Sequence, residues 1–151
     1  MTTAFTPNSN EHGNLTPLDS RFVDVAALKW EKTDFPGIEV KTLLLDKRSG
    51  LLTALIKMDP GSALPDHQHM LIEQTYVIKG HLVCNEGECK AGEFVWRPAG
   101  SRHSAWSPNG GTMLGIFQVP NKFFKTGKEV DMLDQNWFNS WGKCTNMLSQ
   151  V

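Results

Sequence analysis

The chain predicts a small all-β domain, a sandwich or barrel of short strands. Three observations carry that reading. Apolar and polar residues alternate over short runs between about residues 20 and 119. Turn signals punctuate those runs roughly every eight to twelve residues. No helical pattern is interleaved with them in the way a βαβ fold requires. At 151 residues the chain holds one ordinary domain, large enough to bury a core without a disulfide scaffold.

Residues 1 to about 20 are rich in Thr, Asn, Ser and Pro and read as a flexible N-terminal arm, ahead of a single domain over 21–151. Ile38, Val40, Thr42 and Leu44 alternate with Glu39 and Lys41, and Lys47-Arg48-Ser49-Gly50 then turns the chain. Leu52, Ala54, Ile56 and Met58 form the next apolar stripe, closed by Asp59-Pro60-Gly61. Residues 75–79 and 81–84 flank Gly80 and predict a hairpin there. Residues 94–97 and 112–119 are further strand runs. Turns fall at Asn85-Glu86-Gly87, Ala91-Gly92, Pro98-Ala99-Gly100 and Pro108-Asn109-Gly110-Gly111. The period changes in the last third. Asp131 caps a run in which Leu133, Trp137, Phe138 and Trp141 recur at helical spacing, with Gly142 as the stop. This predicts a short C-terminal helix laid on the barrel by its aromatic stripe.

Composition excludes several classes of function. Fifteen Lys and Arg against sixteen Asp and Glu give a formal net charge of -1, which leaves no basic surplus for a nucleic-acid backbone. No apolar stretch approaches the roughly 20 residues of a membrane span. The first Lys or Arg is Arg21 and no apolar segment of a secretory signal precedes it. Three cysteines, Cys84, Cys89 and Cys144, lack a zinc-ribbon spacing and fit reduced thiols. The expectation is a cytoplasmic protein with neither a nucleic-acid nor a membrane partner.

The chemistry concentrates in one arrangement. His67 and His69 stand at i and i+2, on the same face of an extended strand. Glu73 follows at even spacing, so a continuing strand would aim it the same way. His103 arrives after the Pro98-Ala99-Gly100 turn. Three imidazoles and a carboxylate can hold a borderline divalent metal and leave positions open for a ligand.

The residues around these four carry a resemblance. Residues 61–80 read G-x5-H-x-H-x3-E-x6-G, and residues 92–103 read G-x5-P-x-G-x2-H. Together they resemble the two signature motifs of the cupin superfamily, in their usual order. The four glycines and Pro98 alone coincide by chance at roughly one in a million per alignment, so an accidental match is not a serious competitor. One departure is Ser107, where the second motif usually carries Asn. The resemblance implies a cupin jelly-roll, or double-stranded β-helix, whose interior holds a metal on His67, His69, Glu73 and His103. It also implies that Gly61, Gly80, Gly92 and Gly100 sit in turns with positive φ.

The tail from Gln118 is similar to small cupin dioxygenases that act on acetylacetone or dihydroxyacetophenone, and the chain also resembles the cupin domain of a zinc-binding anti-sigma factor. In the acetylacetone branch three histidines hold the iron without a carboxylate. Glu73 is therefore a fourth ligand, or a catalytic base that hydrogen-bonds a bound water.

Three functions follow from the resemblance. The first is a non-haem Fe(II) dioxygenase cleaving a C–C bond of a small enolisable β-diketone or hydroxyketone. The second is a non-redox hydrolase or isomerase of a similar diketone, using Zn(II), Ni(II) or Mn(II). The third is a non-catalytic metal or ligand sensor. Pairing through edge strands and the N-terminal arm makes a homodimer or homotetramer the expected assembly.

Other polar and aromatic residues have plainer expectations. His81 reads as a surface or packing histidine and His12 as solvated. Cys84 and Cys89 read as ordinary thiols. Arg97 and Arg102 flank the His103 turn. Either could orient an anionic substrate, with a surface salt bridge the expected role of each. Trp96 and Trp106 bracket His103, with one expected to wall an apolar pocket or to pack in the core.

Overall fold

The computed structural model describes residues 2–118, and the strand backbone of residues 122–125 and 128–130. The helix expected from Asp131 lies outside the described residues, as does Cys144. Among the described residues the chain is all β. Its strands are β1 (Ala4–Phe5), β2 (Glu31–Lys32), β3 (Ile38–Asp46), β4 (Leu51–Met58), β5 (Ser62–Gln68) and β6 (Glu73–Cys84). They continue with β7 (Gly87–Lys90), β8 (Phe94–Arg97), β9 (Arg102–Ser107), β10 (Gly111–Gln118), β11 (Lys122–Lys125) and β12 (Lys128–Val130). All pairings are antiparallel and form one curled sheet in the order β1-β3-β4-β10-β6-β9-β5-β11-β12, with β2 beside β3, and β7 and β8 beside β6. No described helix is long and apolar enough to cross a membrane.

The hairpin joining β3 and β4 shows how local chemistry sets the connections. Asp46 accepts hydrogen bonds from the Ser49 hydroxyl at 2.6 Å and the Arg48 N–H at 3.1 Å, while the Gly50 N–H closes onto the Asp46 carbonyl at 2.8 Å. Strand β4 then buries every second residue, Leu52, Ala54, Ile56 and Met58, as its alternation predicts.

Strand β3 departs from its predicted stripe after Thr42. The register shifts between Thr42 and Leu44, so Leu45 rather than Leu44 turns into the core, where it is fully buried. One extra residue reverses the side-chain alternation beyond it. Thr6, just past β1, donates its hydroxyl to the Leu43 carbonyl at 2.8 Å, giving the bulged segment a partner from the N-terminal arm.

The hairpin expected at Gly80 is also corrected. Strand β6 runs unbroken through Gly80, whose φ is 76°. Residues before it pair with β10 and β8, and residues after it pair with β7 and β9. Gly80 is therefore where one strand passes from one wall of the fold to the other. Gly61, Gly92 and Gly100 also have positive φ, as expected from the motifs.

The core lies between the two walls and is built mainly from β3, β4, β6 and β10 residues, including Ile38, Val40, Leu45, Leu52, Val77 and Phe117. Ser107 is fully buried in the second wall and donates to the His81 carbonyl at 2.5 Å, so the position usually held by Asn still ties β9 to β6. On the outer face, Tyr76 and Ile78 of β6 and Phe94 and Trp96 of β8 stand exposed, with Tyr76 directly opposite Phe94. Trp96 thus lies neither in the core nor against the histidines, and Trp106 is half-buried.

A candidate metal centre between the two motifs

Two cross-strand pairs bring the motifs together. His67 on β5 lies directly opposite His103 on β9, and Glu73 at the start of β6 lies directly opposite Arg97 at the end of β8. In each pair one residue comes from the first motif and one from the second. His69 follows the end of β5 and is held in place by backbone bonds, its N–H to Ser101 at 2.9 Å and its carbonyl from Gly100 at 2.8 Å. Glu73 does not reach the site on a continuing strand, as its spacing suggested. The chain turns at residues 70–72, and Glu73 opens the next strand.

The three imidazoles face one another in the interior. His67, His69 and His103 are each at least 96% buried, and their candidate ligand atoms all lie within 4.8 Å of one another. His69 Nε2 and His103 Nε2 stand 3.1 Å apart. Two imidazole nitrogens bound to one ion at about 2.1 Å each would be separated by about 3 to 3.4 Å, so this spacing fits a shared cation. Strand β5 helps to aim His67. Its register shifts between Leu64 and His67, around Pro65, and the Pro65 carbonyl accepts the His67 Nδ1–H at 2.8 Å. That bond fixes the proton on Nδ1 and so puts the lone pair of the neutral ring on Nε2, the nitrogen a metal would take. The carboxylate also fits a cation, since buried Glu73 Oε2 has no well-formed hydrogen bond.

Glu73 flanks this cluster. Its Oε2 is 2.7 Å from His69 Nε2, 3.6 Å from His103 Nε2 and 3.4 Å from Arg97 Nε, while Oε1 accepts the Thr75 hydroxyl at 3.0 Å. Burial alone would raise its carboxyl pKa. The contacts with His103 and His69, and the charge of Arg97, outweigh burial and hold it well below the usual carboxylate range. Burial lowers the His67 pKa to about 3, helped by its imidazole neighbours. A neutral imidazole and an ionised carboxylate are the states a metal ligand needs.

These shifts predict the acid response of the metal-free protein. His67 stays neutral in the folded state down to about pH 3, whereas in the unfolded chain it takes a proton near its ordinary value of 6.5. The unfolded state therefore binds more protons below 6.5, and stability falls as pH falls, by up to about 1.4 kcal/mol per unit. Glu73 acts in the same direction below its ordinary value of 4.5, because its folded-state pKa is lowered. Urea midpoints of chelator-treated protein between pH 8 and 4 should be level above about 6.5 and decline below it. A profile level down to pH 5 would contradict the placement of His67.

Arg97 is the residue beside the cluster that the sequence reading misplaced. It is not a surface salt-bridge residue: only 6% of its side chain is exposed, and its Nε lies 3.1–3.2 Å from both ring nitrogens of His103. Its position on the inner face of β8 was the available signal, since Phe94 and Trp96 alternate with it and face outward. Arg102 does take the expected surface role, paired with Asp66 at 2.5 Å. His81 is half-buried and bonds Glu88 at 2.8 Å, away from the cluster, and the His12 ring meets the Phe22 carbonyl. Cys84 and Cys89 are free thiols, and burial raises the pKa of Cys89.

Solved structures show the same fold. An acetylacetone dioxygenase from Acinetobacter johnsonii superposes with a TM-score of 0.70 at 17% identity, covering 84% of this chain and 97% of the other. A cupin-like protein of unknown function from Ralstonia eutropha JMP134 gives 0.66 at 23% identity, over 78% and 79% of the two chains. The anti-sigma factor ChrR of Rhodobacter sphaeroides, solved in complex with SigE, gives 0.54 at 20% identity, over 62% of this chain and 50% of that one. No curated protein matches the sequence. The sequence itself matches the ChrR cupin-like domain from residue 19 to residue 121, a span containing both motifs and every side chain of the candidate metal centre, and the chain belongs to that cupin family.

Proposed function

We propose that this protein is a mononuclear non-haem iron dioxygenase that cleaves a C–C bond of a small enolisable β-diketone or hydroxyketone. The observation that carries the reading is the trio of buried imidazoles on one wall of the fold, flanked by a single carboxylate. Such a set fills half of a six-coordinate shell and leaves room for a chelating ketone and for oxygen. Fe(II) bound there would supply a Lewis acid for the enolate and the redox partner for O2. The acetylacetone dioxygenase that shares the fold supports the substrate class.

The chain's own side chains account for the rest. His67, His69 and His103 hold the ion as neutral donors. Their burial, with Phe117 packed edge-on to His69 at 6.4 Å, limits water around the reacting ketone. Glu73 Oε2 is the carboxylate oxygen nearest the imidazoles, and in this reading it receives the proton that enolisation releases.

Oxygen uptake by anaerobically Fe(II)-reconstituted protein tests this directly, with a panel of β-diketones and aryl hydroxyketones. Uptake of one O2 per ketone consumed, with release of a carboxylic acid, is the expected result. An iron-loaded protein that takes up no oxygen with any of these ketones would contradict it. Cleavage without oxygen would indicate the non-redox alternative, with Glu73 acting on water. The match to the ChrR cupin-like domain favours a second reading, a metal or ligand sensor. Full metal occupancy with every ketone left intact would support that one.

A further inference from the structure

We infer that Arg97 is the carboxylate anchor of the site, and that the substrate is an enolisable ketone bearing a carboxylate rather than a neutral diketone. The inference rests on the ketone-binding reading above and narrows its substrate class. Its starting point is a donor set with too few acceptors. Among the described residues, Arg97 contacts run through Nε, to His103 and Glu73. A neutral imidazole has one lone pair, and His103 cannot offer it both to Arg97 and to a cation. When that pair goes to an ion, the Arg97 Nε–H keeps only Glu73, at 3.4 Å, and the terminal nitrogens still have no acceptor among these contacts. A guanidinium this deeply buried requires an anion.

Charge points the same way. Three neutral imidazoles, a divalent ion, Arg97 and one carboxylate leave the site with two net positive charges in a low-dielectric interior. An enolate neutralises one of them and a carboxylate the other. The space for such a group is present. Arg97 lines a cavity of about 510 Å³ walled by Leu82, Cys89 and Val95, which none of the three histidines reaches. Arg97 therefore links that cavity to the metal centre, since it touches both. Glu86, Glu88 and Glu93 also line the cavity, but all three are exposed to solvent, where their charge is screened; Glu88 is bonded to His81 and Lys90, and Glu93 accepts the Lys90 N–H at 2.7 Å. Among the described residues Arg97 is the one cationic side chain that lines it. The planar fork of a guanidinium matches a carboxylate in two parallel hydrogen bonds.

Acetylacetone and acetylpyruvate form a matched pair of probes, the second having a carboxylate in place of one methyl. Each is titrated into Co(II)-loaded protein and followed by the visible cobalt spectrum and by calorimetry, so the readout is binding and not turnover. Acetylpyruvate should bind wild-type protein about 30-fold more tightly than acetylacetone. The ratio should fall to within about threefold in Arg97→Met and take an intermediate value in Arg97→Lys. Equal affinities in the wild type would overturn the anchor while leaving ketone binding intact. A preference that persists in Arg97→Met would also overturn it, because the ion's charge alone would then explain the preference. A cobalt spectrum unmoved by either probe would remove the ketone reading itself. Since the wild-type ratio needs no variant, the test survives a failure of either substitution to fold.

Discussion

Replacing His103 by alanine is expected to empty the metal centre. Wild-type protein should take up close to one divalent ion per chain, and His103→Ala well under a tenth of that under the same conditions. Changes to residues that merely support a metal ligand cost about 10- to 100-fold in affinity. Loss of one of three imidazoles should cost at least the upper figure. In the metal-free protein the substitution also removes the acceptor of Arg97 Nε and leaves a buried guanidinium with Glu73 alone, so the fold is checked beside the metal content. Metal content by mass spectrometry and Co(II) titration check the result, with circular dichroism to show that the sheet persists. His81→Ala is the control, since His81 pairs with Glu88 away from the cluster and should keep full occupancy. Glu73→Gln separates its two roles. A carboxylate that ligates the ion should cost affinity nearly as much as an imidazole, whereas a proton acceptor should leave occupancy high while turnover falls. Wild-type occupancy in His103→Ala would contradict the centre as described.

Much of the fold was legible in the residues because strand alternation is a local property. The stripe Leu52, Ala54, Ile56 and Met58 needs no partner to be read, and its burial follows the pattern. Turn residues likewise announce themselves, as Ser49 and Gly50 do between β3 and β4. The misreadings occurred where a neighbouring strand decides. Nothing in residues 42–45 says that the register slips, because the slip is a relation between β3 and β4. Gly80 looked like a turn because glycine marks any positive φ. Whether the chain reverses there or bends and continues depends on β10 and β7.

The candidate site divides in the same way. His67, His69 and His103 could be grouped from motif spacing, since the motifs encode the two strands that pair. Glu73 could be named but not placed, because the turn at residues 70–72 moves it to another strand. Arg97 could be named but was assigned to the surface. The short strand β8 has one face in solvent and one toward the interior, and only its pairing with β6 puts Arg97 opposite Glu73. A charged residue at an inward position is read as exposed by default because its burial without a partner is so costly.

Gly80→Ala is expected to be the most destabilising single-methyl change in the described chain. A Cβ at Gly80 would lie 2.2 Å from the Gly110 carbonyl oxygen and 2.6 Å from Gly111 Cα, both backbone atoms of the neighbouring β10 region. No rotamer change can relieve such a contact, so the backbone itself must separate. Strand β6 crosses between the two walls at this residue, and separation there pulls on the pairings that fix Glu73 on one side and Val83 on the other. A side chain held in the left-handed region costs about 1–3 kcal/mol, and overpacking adds about 1–3 kcal/mol. Together they approach the full stability of a marginal domain. Gly61→Ala isolates the first cost. Its φ is 84°, but nothing lies within 4 Å of the added methyl. Urea midpoints should therefore rank wild type above Gly61→Ala, and Gly61→Ala well above Gly80→Ala. Equal losses at the two glycines would mean that conformation alone matters at Gly80 and that β6 does not pass as tightly against β10 as the structure shows.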